Sequence, residues 1–362
     1  MHIQEKPTNR YGPFQGNAKG INMPRRTVEE LDAYSVIDPE IEAIVKSGKL
    51  PKPSIDYTDS TKAIQQLRVL SEARGELKDR EGVNTTHSSY RTRDGHENRL
   101  LIFRPSNSTI DDKLPCIIHL HGGGGAIGSP ESTAPFCQEL ALQQGAVVIA
   151  PAYRLAPEHK HPTGRNDCAD AVKHIAANAA ACGADPTLGF VVGGHSFGGS
   201  TAAIISLQAA DQGLSDTITG LYLGTGNFVN KQVPAEYTDQ YRSRTDDRCT
   251  NAPVLDAATK RAFERAGAYT DKPVWGGVSD DDLPNAFKRQ PRTYFQVCGM
   301  DVLRDDALVY EDMLRSHGVD TRVDIYPGTP HVFWAVFPPG TVSQATKWAG
   351  DTQVGMTWLL RR

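Results

Sequence analysis

Gly193-Gly194-His195-Ser196-Phe197-Gly198-Gly199 is the stretch on which the reading of this chain turns. An apolar run, Gly189-Phe190-Val191-Val192, precedes it and reads as a short buried strand. Residues 200–210, rich in Ala and Ile, follow with helical character. Strand, G-x-S-x-G and helix in that order form the context of a nucleophile elbow. So tight a turn forces its serine into a strained backbone conformation. Gly194 and Gly198 lack a Cβ, so strand and helix can close around the serine. The Ser196 hydroxyl is then exposed at the carboxyl edge of a sheet. The plain alternative is an ordinary serine in a glycine-rich turn, because such pentapeptides also arise by chance.

Outward from the elbow, strands and helices alternate. Cys116-Ile117-Ile118-His119-Leu120 and residues 146–150 read as buried strands, with helices over 132–144 and 166–181. Further strands are expected at 218–223, 292–298 and 321–326, and helices at 303–316 and 342–360. This pattern implies an α/β fold with a mostly parallel central sheet flanked by helices. Residues 83–92 and 99–104 resemble a polar-edged strand pair. Upstream, Asp38-Pro39-Glu40 looks like the cap of a helix reaching about residue 47, and residues 61–77 carry one apolar stripe. Leu50 to Ser54, with two prolines, reads as a linker. Residues 233–291 show no strand signal, and nineteen of the fifty-six residues 235–290 are charged. An insertion of that length in an open α/β sheet belongs above its carboxyl edge, where sites form. The expected organisation is an N-terminal cap segment (1–80), a catalytic core in two parts (81–232 and 292–362) and a cap insertion (233–291).

Directly after the 116–120 strand comes His121-Gly122-Gly123-Gly124-Gly125. Acyl transfer needs donors aimed at the oxyanion of the tetrahedral intermediate, and consecutive glycines let backbone N–H groups turn inward. The amide of Phe197, after the nucleophile, would complete such a hole. Gly123-x-Gly125-x-x-Gly128 also matches a dinucleotide fingerprint formally. That reading needs an acidic residue about 20 positions on, and residues 146–154 contain none.

A serine nucleophile needs a base, and the base an orienting carboxylate, in the chain order Ser, acid, His. Only His317 and His331 lie downstream of Ser196. His317 ends a helix, where the dipole favours it for structural reasons. His331 lies in a loop past a strand's carboxyl end, as a base should. Asp301 leaves the end of the 292–298 strand and is the candidate acid. Asp305 and Asp306 are the runners-up, at a helix start where acids are common. Asp280, Asp281 and Asp282 read as a solvated charge run. The stretch from Tyr153 to Pro162 reads as a loop buttressing the site, because His159 and His161 alone are weak evidence for a metal.

Composition sets the remaining bounds. The chain has 362 residues and net charge −4, with 39 basic and 43 acidic side chains well mixed. No nucleic-acid or anionic-membrane footprint follows from that balance. The polar start, residues 1–20, holds no signal-peptide core, and no apolar run is long enough for a span. Six scattered cysteines fit reduced thiols, so a cytoplasmic location is expected. Two glycosylation sequons, at Asn84 and Asn107, read as chance matches.

Taken together, residues 95–360 resemble the hormone-sensitive-lipase-like family of the α/β-hydrolase fold. The resemblance rests on His121–Gly124, Tyr153-Arg154-Leu155-Ala156-Pro157-Glu158, Gly194–Gly199, Asp301-Val302-Leu303-Arg304-Asp305 and Gly328-x-x-His331-x-Phe333. It implies Ser196 as nucleophile, Asp301 as acid, His331 as base, oxyanion amides at Gly123, Gly124 and Phe197, and a helical cap. The activity it implies is hydrolysis of carboxylic esters without cofactor or metal, while the charge-dense insertion, its few spaced aromatics and the bulk of Phe197 point to small to medium soluble esters. It implies a small-molecule ester or lactone as partner, no nucleic acid, no membrane insertion, and is compatible with a homodimer. A lactonase or dehydratase on the same fold, or a non-catalytic binding protein, are the alternatives. The chain departs from the family pattern at His195, Phe197, Gly125, Val302 and Val332, all around the pocket.

Overall fold

The apolar runs of the sequence become the inner strands of one eight-stranded sheet. In the computed structural model, residues 25–50, 54–72, 77–209, 214, 216–229, 233, 235–267 and 283–360 are described. The strands are β1 (Val83–Arg91), β2 (Glu97–Pro105), β3 (Cys116–Leu120), β4 (Val147–Pro151), β5 (Phe190–His195), β6 (Gly220–Gly224), β7 (Arg292–Cys298) and β8 (Thr321–Tyr326). Their spatial order is β1-β2-β4-β3-β5-β6-β7-β8. The β1/β2 and β2/β4 pairs are antiparallel, and every other pair is parallel. The expected mostly parallel α/β sheet is therefore present.

Strands β3, β4, β5 and β6 are buried along their whole length, as inner parallel strands covered on both faces must be. Successive side chains point to opposite faces, so each strand feeds two cores. Ile118, Ile149, Val192 and Leu221 enter one, and Ile117, Val148, Val191 and Tyr222 the other. Strand β1, at the edge, is Ser/Thr-rich and mostly exposed, which blunts it against pairing with another chain.

The helices are α1 (Val28–Tyr34), α2 (Pro39–Lys46), α3 (Ser60–Glu72), α4 (Ala134–Gln144), α5 (Thr163–Ala177), α6 (Phe197–Leu207), α7 (Asp247–Thr250), α8 (Ala257–Gly267), α9 (Leu283–Lys288), α10 (Arg304–Ser316) and α11 (Ser343–Leu360). Helix α2 starts as read, with the Asp38 carboxylate accepting from the Glu40 and Ile41 N–H groups and Pro39 in the first turn. Helix α1 is an addition to that reading. Its start is a capping box between Thr27 and Glu30, and Leu31 is its buried anchor. Helix α5 opens at Thr163, ahead of the expected 166, and Gly183 at φ 69° closes the 3₁₀ turn behind it. Helix α3 is described over Ser60–Glu72, and residues 73–76 of the expected 61–77 helix lie outside the described residues.

Segments from the two ends of the pattern meet over the strand termini. Helices α3 and α8 pack together, with Ile64 and Ala266 sharing one apolar cluster with Ala126 and Ala156. The Tyr57 hydroxyl lies 2.6 Å from Thr259 Oγ1. Residues 1–20, the two linker prolines, Tyr269, Trp275 and Asp280–Asp282 lie outside the described residues.

Candidate active site

The elbow is built as its glycines require. Strand β5 ends at His195, and Ser196 takes φ 54° and ψ −119° before α6 begins at Phe197. Positive φ at a non-glycine residue is strained and persists only where the surroundings hold it. Here the Ser196 N–H donates to Gly224 O on β6 at 2.7 Å. A Cβ at Gly194 would fall 2.2 Å from Leu120 O, and one at Gly198 only 1.9 Å from the same atom. No other residue type fits at either position while β3 stays where it is.

Two loops from neighbouring strands face the serine. His331 Nε2 lies 3.0 Å from Ser196 Oγ, and His331 Nδ1 lies 2.7 Å from Asp301 Oδ2. A carboxylate can only accept, so Nδ1 carries the proton and Nε2 keeps a lone pair for the serine hydroxyl. The other Asp301 oxygen accepts from the Leu303 N–H at 2.9 Å. Asp301 is fully buried and His331 nearly so, while Ser196 is partly open. The loops are tied together by N–H donations from Gly299 to Tyr326 O and from Met300 to Thr329 O. The N-terminal segment straps the histidine loop, with Gly328 N–H donating to Tyr34 O and Asp38 N–H to Gly328 O.

The glycine run after β3 lies against the elbow. A Cβ at Gly122 would sit 3.3 Å from Ser196 Cβ. Gly123, Gly124 and Gly125 all have positive φ, at 111°, 62° and 72°. Gly123 O accepts from the Ala126 and Ile127 N–H groups, which coils the run into a tight turn. The Phe263 ring of α8 covers Gly124 so closely that a Cβ there would lie 2.4 Å from it. Gly123, Gly124 and Phe197 line the same cavity as Ser196 and His331.

Residues 153–162 buttress this turn. The Tyr153 hydroxyl donates to His121 O at 2.8 Å, and its ring stacks on His121 with centroids 4.0 Å apart. Arg154 forks onto Asp167 at 2.7 and 2.9 Å, and Arg68 grips Glu158 at 2.7 and 2.8 Å. Burial pushes His121 down to about 4, so it stays neutral, and its Nδ1–H donates to Gly122 O. Among the described residues no three His, Cys, Asp or Glu side chains are grouped to hold a metal.

Asp305 and Asp306 stand elsewhere for a reason that the helix dipole does not supply. Both are fully buried. Asp305 accepts from the Arg242 and Ser243 N–H groups at 2.7 and 2.6 Å and pairs with Arg304. Asp306 accepts from Val229 N–H, the Tyr241 hydroxyl and Arg244. They clamp the insertion onto α10 and do not approach His331 through any hydrogen bond among the described residues. Burial raises the Asp306 carboxyl, offset in part by Arg244. His317 caps α10 through Nδ1 to Met313 O at 2.7 Å, the structural role expected of it.

Sequence reasoning left His195 without a role and did not single out Trp334 or Trp348. The His195 ring lies 4.7 Å from Phe136 and 5.1 Å from Trp334, and Trp334 stacks on Trp348 at 4.9 Å. All four line the cavity, which encloses about 1720 Å³. Ligand pockets commonly span about 300–1,000 Å³, so this one has room beyond a minimal ester. Two tryptophans soon after His331 are the only signal in the chain for this wall.

An alpha/beta hydrolase fold family model matches residues 117–335. The chain is 30% identical over 336 residues to an AB hydrolase superfamily protein of Schizosaccharomyces pombe, covering 91% of this chain and 95% of that one. It is 30% identical over 250 residues to the versiconal hemiacetal acetate esterase of Dothistroma septosporum, covering 68% and 74%. Among solved structures, a bacterial heroin esterase superposes with TM-score 0.75 at 26% identity, over 91% of this chain and 99% of its own.

Proposed function

This chain belongs to the alpha/beta hydrolase fold family and stands among its carboxylesterases, and from that footing we propose that Ser196, His331 and Asp301 form its catalytic triad. The observation that carries the proposal is the hydrogen-bonded line Ser196–His331–Asp301, at 3.0 and 2.7 Å, opening on the cavity. His331 takes the Ser196 proton as Oγ attacks the ester carbonyl. Amides of Gly123, Gly124 and Phe197 hold the charge that develops on the carbonyl oxygen. His331 then protonates the leaving alcohol, and water repeats the sequence on the acyl-enzyme. Asp301 keeps Nδ1 protonated throughout and steadies the imidazolium.

The substrate class we propose is a soluble ester with a short acyl group and a larger alcohol. Phe197, beside the nucleophile with its ring tilted against Tyr153 at 5.6 Å between centroids, supports a confined acyl side. The large cavity supports a bulky remainder. The Dothistroma relative is named for an acetate ester and the structural neighbour for heroin, which agrees with that division. Residues 25–50 and 54–72 of the N-terminal segment, with residues 235–267 and 283–288 of the insertion, serve as the cap over the two-part core. No helix among the described residues is long and apolar enough to cross a membrane. Hydrolysis of p-nitrophenyl acetate by the purified protein, lost in Ser196→Ala, tests this reading.

A further inference from the structure

One wall of the cavity carries chemistry that the triad does not use. His195, Phe136, Trp334 and Trp348 form a continuous aromatic surface beside Ser196, with ring centroids 4.7 to 5.8 Å apart. Behind it runs a chain of buried hydrogen bonds whose direction can be worked out. An indole nitrogen only donates, so Trp348 Nε1–H donates to Gln296 Oε1 at 2.9 Å. The two protons of the Gln296 amide nitrogen are then shared among the Tyr294, Tyr326 and Thr352 oxygens, 2.9 to 3.0 Å away. Because Gln296 Oε1 cannot donate, the Tyr222 hydroxyl gives its one proton to it, at 2.6 Å. The phenol oxygen must therefore accept from His195, whose Nε2 lies 2.6 Å away.

That sequence determines the tautomer. His195 holds its proton on Nε2, and Nδ1 is a bare acceptor. Nδ1 has no hydrogen-bond partner among the described residues, although the side chain is 7% exposed and lines the cavity. Burial, reinforced by the neighbouring His119, holds His195 far below its ordinary range and keeps the acceptor unprotonated. Apolar ring faces with one unpartnered acceptor suit a planar ring that brings a donor of its own.

Resting on the reading that this cavity holds the ester, we propose that its aromatic wall binds a hydroxylated aromatic ring of the substrate, with His195 Nδ1 accepting from the ring hydroxyl. His195 is thus a specificity residue and Tyr222 the residue that sets its tautomer.

The test is equilibrium binding, which needs no turnover. Naphthalene-2,6-diol and 2,6-dimethoxynaphthalene are titrated into the wild-type protein by calorimetry, and each is tried as an inhibitor of p-nitrophenyl acetate hydrolysis. The diol should bind ~5-fold tighter than the diether, the difference of one net hydrogen bond, and inhibit competitively. His195→Phe should bring the two affinities together, and Trp334→Leu should weaken both ~5-fold. If His195→Phe does not fold, Tyr222→Phe frees the tautomer and should shrink the diol preference. Equal affinities in the wild type, or a diol preference that survives His195→Phe, overturns the proposal. A protein that discriminates the two ligands but cleaves no ester supports the wall and sinks the esterase reading. One that cleaves the ester and does not discriminate sinks the wall alone.

Discussion

His331 Nε2 stands 3.0 Å from Ser196 Oγ, although 135 residues separate the two along the chain. The strained Ser196 backbone and the strapped histidine loop hold the two ends of that contact independently. Ser196→Ala should therefore leave the fold intact and lower ester hydrolysis by about 10⁴-fold or more. Because triad members act as a unit, adding His331→Ala should cost little beyond that. Turnover numbers and circular dichroism of the two variants check both statements, and near-normal turnover by Ser196→Ala would move the nucleophile elsewhere.

Asp301 and Asp305 make a sharper pair. Asp301→Asn can no longer enforce the Nδ1–H tautomer of His331, so kcat should fall by about 10⁴-fold. Asp305→Asn leaves that contact alone but weakens the clamp on Arg242, Ser243 and Arg304. It should lower stability by about 3 kcal/mol while kcat changes only a few-fold. Urea melts and kcat of both variants decide it. A stable, inactive Asp305→Asn beside an active Asp301→Asn would reverse the assignment.

Much of this arrangement is legible in residue order, for physical reasons that stop at tertiary contact. Strands β3 and β7 begin and end where expected because inner parallel strands are covered on both faces, while β8, at the sheet edge, is only half-buried and is read from its alternation. Gly194 and Gly198 announce the elbow because no Cβ fits there. Asp301 and His331 stand out because each follows the carboxyl end of a strand. Asp305 and Asp306 mislead locally, since an acid in a first helical turn looks the same whether it meets the dipole or holds another segment's amides. Helix α1 is hidden by its single buried side chain, Leu31. The His195–Tyr222–Gln296 line joins β5, β6 and β7, and no spacing along one strand reveals it.

Stability should fall in mild acid. Burial depresses His119 to about 3 and His121 to about 4, and holds His195 well below its ordinary value. In the unfolded chain these residues take up protons near pH 6.5, whereas the folded protein keeps them neutral. Unfolding then binds up to three more protons below pH 6.5, so stability drops as pH falls, by about 1.4 kcal/mol per pH unit for each. The loss should level off only below pH 4, as the folded histidines begin to titrate. Urea midpoints measured from pH 7.5 to 4.5 would reveal it, and a flat profile would contradict the neutral, buried assignment.

Acyl length should matter more than alcohol size. Among p-nitrophenyl esters, rates should peak at two to four carbons, roughly, and decline well before twelve, given Phe197 beside the nucleophile. Bulky acetates should be cleaved readily, because the 1720 Å³ cavity accepts them. A chain-length series on either side of the micellar concentration measures this. Rates that climb through twelve carbons and jump on micelle formation would point to a lipid substrate.

The most direct measurement of the central claim is labelling with a fluorophosphonate, followed by digestion and mass spectrometry of the peptides. Such a probe reacts only with a serine whose hydroxyl is activated by a base. One adduct on Ser196, abolished in His331→Ala, is the predicted result. An adduct on a different residue, or no adduct in a protein that still hydrolyses esters, would contradict the proposed nucleophile.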